Sequence, residues 1–233
     1  MNSLFDLSQE YETMLNQGIK ISGEAKEYFI RGRIEDLIKI LPKDSGINKI
    51  LDYGCGIGNT APILREYFKE AEIIGTDLSS EALKYASDLH GLLNVKFIRL
   101  NEVPLNHFDL VYVNGVFHHI EPHNRVEALK GIHSFLKPHG LFSFFENNPW
   151  NLGTRIIMSK IPFDADAHLI NPLKAGQLLT QCGFRRATST RYLFYFPRIL
   201  SFLRFIEKHL SNVPLGAQYH ILSVKKSDAS LTC

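Results

Sequence analysis

Ile50-Leu51-Asp52-Tyr53-Gly54-Cys55-Gly56-Ile57-Gly58-Asn59-Thr60 is the stretch on which the reading of this chain turns. An apolar strand with an acidic residue near its end runs into three glycines at alternate positions, and a helical pattern (Ala61, Ile63, Leu64, Tyr67, Phe68) starts at once. Glycines belong there because the chain must turn sharply and let a ligand lie against bare backbone at a helix N-terminus. The stretch therefore reads as a nucleotide-type cofactor site. A dinucleotide fingerprint, G-x-G-x-x-G, would put its third glycine at position 59, where Asn59 stands, so the pyrophosphate reading weakens.

The partner feature is an acidic residue at the end of the next strand, about 20 residues on, placed to accept hydrogen bonds from ribose hydroxyls. Ile73 to Ser79 supplies it as Asp77, and Ser79 is a good N-cap for a helix through Ala82, Leu83, Tyr85 and Ala86.

These residues resemble motif I of the class I S-adenosylmethionine-dependent methyltransferases, an apolar strand ending in D-x-G-C-G-x-G. The resemblance continues through Val95–Leu100 as a third strand and Phe108–Asn114 as a fourth, which leads into Gly115-Val116-Phe117-His118-His119-Ile120. Leu136-Lys137-Pro138-His139-Gly140 is similar to the L-K-P-G-G turn before the fifth strand, Leu141 to Glu146. It covers residues 47–147. It implies an α/β, Rossmann-like fold with a mostly parallel seven-stranded sheet, an antiparallel C-terminal hairpin and helices on both faces. It also implies S-adenosyl-L-methionine as cofactor, held by Asp52, Gly54, Cys55, Gly56, Gly58, Asp77, Leu78, Asn114 and Val116. Asn101 and Glu102 fall where the family often has a polar residue, usually Asp, near the adenine amino group.

Size and composition bound the rest. At 233 residues with 45% hydrophobic residues the chain can bury one sizeable core, so a single domain is expected over residues 1–233. Its parts are an N-terminal helical cap (1–45), a cofactor-binding core (46–147), acceptor-side helices with the C-terminal hairpin (148–226) and a polar tail (227–233). A net charge of +2 without basic runs gives no reason to expect nucleic acid, and a small-molecule acceptor is the default. Three cysteines without metal-ligand spacing, and no signal-peptide pattern in Met1 to Lys20, fit a cytoplasmic protein. The longest apolar stretch, Tyr192 to Ile206, is too short to span a bilayer and is broken by Pro197, Arg198 and Arg204.

Glu12 to Leu41 is helical and amphipathic. In related enzymes such helices cover the cofactor, and Tyr28, Arg31 or Arg33 would hold its methionyl carboxylate; packing on the sheet with solvated arginines is the other reading. Beyond Glu146, residues 150–160 and 172–183 are helical and 184–196 strand-like, and an amphipathic helix follows from Pro197 to Leu210. With Tyr192-Leu193-Phe194-Tyr195-Phe196 that helix is expected to wall an apolar acceptor pocket. Core packing and a peripheral membrane contact through its basic face are the alternatives. Residues 217–224 close the fold as a strand.

Methyl transfer needs alignment in a dry site and, for a hydroxyl acceptor, a proton acceptor. Candidate bases are His119 after strand four, Glu146 at the end of strand five, and His168. His118 and His119 also read as a packing and cofactor-lining element. Asp164, Asp166 and His168 alternate along one face of an extended segment, but no fourth ligand is visible and no metal is assigned. Asn148-Pro149-Trp150 resembles the N-P-P-[YFW] tetrad of nucleic-acid amino-methyltransferases only superficially, because that tetrad follows strand four. The segment from Glu146-Asn147-Asn148-Pro149 through Phe163-Asp164-Ala165-Asp166-Ala167, with Pro214 to Tyr219, is similar to a group of bacterial class I methyltransferases of sugar and secondary-metabolite pathways. Position 147 is often His in that group and is Asn here. Competing functions are a non-methylating member of the fold, such as a cyclase, and a nicotinamide-dependent reductase, which lacks a Tyr-x-x-x-Lys pair here.

Overall fold

The computed structural model describes residues 23–161 and 166–226. Strands β1 (Lys49–Tyr53), β2 (Glu72–Asp77), β3 (Val95–Arg99), β4 (Phe108–Asn114) and β5 (Leu136–Asn147) are parallel, in the order β3-β2-β1-β4-β5. The strand order reverses between β1 and β4, and in an open α/β sheet a ligand crevice lies at the carboxyl ends of the strands at such a switch point. Both faces are covered, as the apolar strands require. Ile50, Ile73 and Leu110 face one cluster with Ile30, Ile34 and Leu37 of α1 (Lys26–Ile40) and Ile63 and Leu64 of α2 (Ala61–Tyr67). Their neighbours Leu51, Ile74 and Val111 point the other way, onto Leu129 and Ile132 of α4 (Arg125–Phe135) and Leu179 of α6 (Pro172–Gln181). Between them in sequence lie α3 (Ser80–His90) and α5 (Leu152–Met158), whose N-caps Ser79 and Asn151 each accept a backbone N–H, from Ala82 and Thr154. The expected N-terminal helix is described from Lys26 on, and Glu12 to Ser22 lie outside the described residues.

The closing edge differs in detail from a plain hairpin. β8 (Gln218–Lys225) inserts antiparallel beside β5, and its outer edge carries two short strands, β6 (Phe184–Arg186) and β7 (Arg191–Leu193). Continuing the β6 register would set residue 189 opposite His220, but Arg191 stands there, so two extra residues bulge out and split the expected strand. Counted as one interrupted strand, β6 and β7 complete a seven-stranded sheet. The Leu136–Gly140 turn is absorbed into β5, with a register shift opposite Phe108–Leu110.

The predicted helix from Pro197 to Leu210 is instead a 3₁₀ run over Arg198–Ile206, broken at Leu200, followed by a four-residue α7 (Glu207–Leu210). None of its residues is buried. Most helical stability comes from packing one face against the protein, and here Leu203, Ile206 and Leu210 are only half-buried. Side chains hold it instead: Glu207 Oε1 accepts the Tyr195 and Phe196 amides at 3.1 and 3.0 Å, and Arg204 donates to the Phe196 carbonyl.

α1 is tied down by a polar chain inside the fold. Asp36 accepts from Arg191 at 2.7 Å and from His220 Nδ1 at 2.9 Å, and His220 Nε2 lies 3.0 Å from Ser143 Oγ. His220 is stacked on Phe145, and neither it nor Ser143 has any exposed surface, so this Ser-His-Asp order is a sealed clamp rather than a nucleophile. Burial alone would raise the Asp36 carboxyl, but hydrogen bonds from His220 and Arg191 outweigh it and hold it below its ordinary value. Burial lowers His220 and keeps it neutral, against the pull of Asp36.

Both groups bind protons less readily folded than unfolded, so stability is present at neutral pH and lost on acidification. Thermal or urea unfolding should show stability falling below about pH 6.5, as unfolded His220 begins to protonate, and further as Asp36 protonates at lower pH. Asp36→Ala should cost about 3 kcal/mol at pH 7, the lower end for breaking a buried pair, since Arg191 keeps some solvent access. Unfolding midpoints unchanged by pH and by this substitution would remove the clamp.

Candidate functional site

The glycine loop is pinned across two strands. Gly54 and Cys55 amides share the Thr76 carbonyl at 2.8 and 3.0 Å, and the Gly56 amide donates to Asp77 Oδ2 at 2.8 Å. The other Asp77 oxygen accepts from Ser79 N at 3.0 Å. Gly54, Gly56 and Gly58 have φ of +73°, +52° and +76°, all in the region that favours glycine. A Cβ on Gly54 would come within 2.4 Å of Val116, whereas Gly56 faces open space. Gly58 belongs to packing: it abuts Phe97 and His90 and does not line the cavity.

The loop forms one end of a cavity of about 600 Å³ at the switch point. Asp52, Thr76, Asp77, Asn114, Leu78 and Val116 line that end, as does Cys55. Burial, then the charges of Asp52 and Asp77, pushes the Cys55 thiol up, so it is no nucleophile. Asp52 Oδ2, Thr76 Oγ1 and Asn114 Oδ1 are buried and make no hydrogen bond among the described residues. Buried polar atoms rarely stay unpaired, and three of them belong to residues that line this one cavity, which fits a ligand rich in donors. A ribosyl sulfonium with an amino-acid tail is such a ligand, so these residues suit S-adenosylmethionine. Burial, and then the Asp77 charge, pushes Asp52 up to about 7, against the pull of Arg33. Arg33 lies in the same cavity, buried, with Nε 3.3 Å from Tyr112 Oη and its head 3.0 Å from Gln218 Oε1.

The other end is built around the turn after β4. Glu146 Oε1 accepts the Phe117 amide at 2.7 Å, and Oε2 lies 2.7 Å from His118 Nδ1. Arg125 Nε donates to the carbonyls of Phe117 and Ile120, and the His168 amide donates to the His118 carbonyl at 2.7 Å. His118 and His119 both line the cavity, with ring centroids 4.1 Å apart. Asn147 and Gln218, joined by a 3.1 Å hydrogen bond, line it too, with Thr154, Ile157, Met158 and Ile161 at its apolar end.

Several expected residues take other places. Glu146 is fully buried and does not line the cavity; it orients His118, the histidine that the sequence ranked second. The His168 side chain is exposed, as is Asp166, while Asp164 lies outside the described residues. Asn101 and Glu102 are exposed, Glu102 accepts the Arg99 amide, and their neighbour Leu100 lines the cavity instead. Tyr28 turns away to pack on Phe29 and Phe194 beneath the Arg204 guanidinium, and Arg31 pairs with Glu66. Lys26 and Phe29 line the cavity from α1. The 198–210 segment walls no part of it: Phe202 and Phe205 are 69% and 70% exposed, neither pocket nor core. Arg125 was missed, its signal being only a buried cation at the start of α4.

Residues 50–140 match the family model described as a methyltransferase domain. A trans-aconitate 2-methyltransferase of Rhodopseudomonas palustris is 29% identical over 50% of this chain and 45% of its own length. A phosphoethanolamine N-methyltransferase of Arabidopsis thaliana is 24% identical over 94% of this chain and 42% of its own. The chain spans about half the length of the curated relatives it matches. A crystal structure of a SAM-dependent methyltransferase from Archaeoglobus fulgidus superposes with a TM-score of 0.67, covering 89% of this chain and 97% of that one at 19% identity.

Asp77→Ala should weaken S-adenosylhomocysteine binding by about 1.5–3 kcal/mol in calorimetry, the range for losing a charged hydrogen-bond partner. Unchanged affinity would remove the assignment. Asp52 titrates near 7 without ligand, and a cationic ligand favours its ionised form. S-adenosylmethionine affinity should therefore rise by up to about tenfold per pH unit on approaching pH 7 from below, then level off. Asp52→Asn should flatten that dependence; an unchanged slope in the variant would place the titration elsewhere.

Proposed function

We propose that the chain is a class I S-adenosylmethionine-dependent methyltransferase that methylates a small molecule, at a hydroxyl in preference to nitrogen or carbon. The observation that carries this reading is one continuous cavity lined both by the glycine–Asp77 cradle and by the Glu146-oriented His118. Trans-aconitate and phosphoethanolamine, named for two relatives, are small acceptors of the kind meant.

Bound in the cradle, the cofactor supplies an electrophilic methyl on a sulfonium. Gly54, Gly56 and Asp77 would hold its ribosyl portion, and Asp52 and Arg33 would pair with its charged amino-acid tail. His118 accepts the hydroxyl proton of the acceptor. Glu146 takes Nδ1–H, which leaves the basic lone pair on Nε2, and it stabilises the imidazolium formed as the proton arrives. Arg125 and the Phe117 amide keep that carboxylate and turn in place. Asn147 and Gln218 offer amide groups to orient the acceptor, and Ile157, Met158 and Ile161 keep water away from the reacting atoms.

The test is turnover with labelled cofactor on a panel of small hydroxyl, amine and carboxylate acceptors, comparing His118→Gln and Glu146→Gln with the parent chain. General-base loss should lower kcat by about 10²- to 10⁴-fold in His118→Gln, with S-adenosylhomocysteine affinity intact. Glu146→Gln should give a smaller kcat loss of the same kind. Activity within threefold of the parent in both variants would mean that the acceptor needs no base, and no labelled product from any acceptor would sink methyl transfer itself.

A further inference from the structure

The 3₁₀ run over Arg198–Ile206 keeps apolar residues that the fold leaves outside. A 3₁₀ helix has three residues per turn, so Phe202 and Phe205 stand on one side of it, and with Ile199, before the break at Leu200, they are 69%, 70% and 84% exposed. Phe202, Phe205 and Trp150 are the only exposed Phe or Trp side chains among the described residues. This side continues into a wider face. The loop after α7 carries exposed Val213 and Leu215, and the Leu215 carbonyl accepts from Asn151 Nδ2 at the start of α5. There Trp150, Leu152 and Ile156 are exposed in turn. Contiguous exposed apolar surface on a soluble chain marks an interaction site.

The charge on this face is one-sided. Between residues 148–161 and 192–216 the sole acid is Glu207, and its Oε1 is taken up by two backbone amides. Arg155, Lys160, Arg198 and Lys208 are all exposed there, while Arg204 is matched by Glu24 at 2.7 Å. Four exposed cations around protruding aromatic and aliphatic side chains are concentrated on a chain whose net charge is only +2. Side chains this exposed that line no part of the cavity suit a fluid planar surface better than a polypeptide segment. We infer that this face seats the protein on an anionic lipid surface, aromatic residues at the headgroup boundary and cations on the lipid charges. The docking is interfacial: among the described residues no helix is long and apolar enough to cross a membrane. It goes beyond methyl transfer and does not depend on it.

Two other occupants compete. The carbonyl of Gly23, the first described residue, accepts from Arg198 at 3.2 Å, which makes the chain's own residues 1–22 one competitor. A second copy of the chain is the other. The experiment is co-sedimentation of the full chain with vesicles of phosphatidylglycerol and phosphatidylcholine, against phosphatidylcholine alone, for the parent, Phe202→Ser/Phe205→Ser and Arg155→Glu/Lys208→Glu. Thermal melting and gel filtration are run on each. The parent should bind the anionic vesicles and bind phosphatidylcholine weakly. The aromatic pair should lower binding at least roughly tenfold, since two aromatic side chains leave the interface, with melting unchanged to about 2 °C. The charge pair should lose the preference for anionic lipid. A parent that stays in the supernatant, or an aromatic pair that binds as well as the parent, overturns the inference. So does melting lowered by several degrees in the aromatic pair, which assigns the face to the chain's own residues 1–22. A parent dimer that the aromatic pair dissolves assigns it to a second copy and overturns the inference as well.

Discussion

Gly54 and Cys55 amides on one carbonyl of Thr76, with the Gly56 amide on Asp77, form the seam between the ends of β1 and β2 on which the site depends. Each neutral bond contributes only about 1 kcal/mol net, and the charge-assisted one roughly twice that. Their weight lies in what they align. The seam holds three backbone units at positive φ, which brings Asp52 and Asp77 close enough for the charge of one to raise the pKa of the other. It also leaves each Asp77 oxygen with one backbone donor and a spare lone pair. A cradle held this way meets its ligand without reorganising, and that rigidity is where preorganised sites gain affinity.

Buried polar groups in this protein fall into two kinds, separated by whether the fold itself satisfies them. Asp36, His220 and Ser143 satisfy one another away from any cavity, and the effect is mechanical: α1 is fixed to β7 and β8, and Arg33, three residues before Asp36, is fixed with it over the cavity. Asp52, Thr76 and Asn114, residues that line the cavity, each keep a buried polar atom without a partner among the described residues, as do His90 and Ser223 away from it. Desolvating such atoms costs about 1–3 kcal/mol each, a cost a ligand can offset and apolar packing cannot.

What was legible in the sequence was local. Gly54, Gly56 and Asp77 are set by a turn and a strand end, both written in short spacings, and the alternation of Ile50 with Leu51 is enough to place both faces of β1. Pairings across the sheet were not legible. Glu146 and His118 are 28 residues apart and meet only because β4 and β5 pair in one particular register, which no periodicity specifies. Tyr28 was drawn from the cavity by Phe194 and Arg204, whose position depends on the positive φ at Phe194 and on the bulge between β6 and β7. Ile199, Leu200, Leu203, Ile206 and Leu210 have the spacing of one α-helical face, so a helix walling a pocket was read where a 3₁₀ run broken at Leu200 turns Phe202 and Phe205 outward.

α5 shows how one short element serves two surfaces. Its N-cap Asn151 and the buried Asn148 bind the 214–216 loop through the carbonyls of Pro214, Leu215 and Gly216, so the helix is anchored by polar bonds at its start rather than by a deep apolar face. That anchoring frees its sides. Thr154 and Met158, four residues apart, turn inward to the cavity, whereas Leu152 and Ile156, also four apart, turn outward. A helix apolar on both sides is expected in a core, but seven residues at the rim of an open cavity have no second layer to cover them. The outward pair therefore costs solvation free energy that nothing inside the described fold returns. The inward pair is offset by whatever occupies the acceptor end, and the acceptor wall and the exposed face are two sides of a single helix.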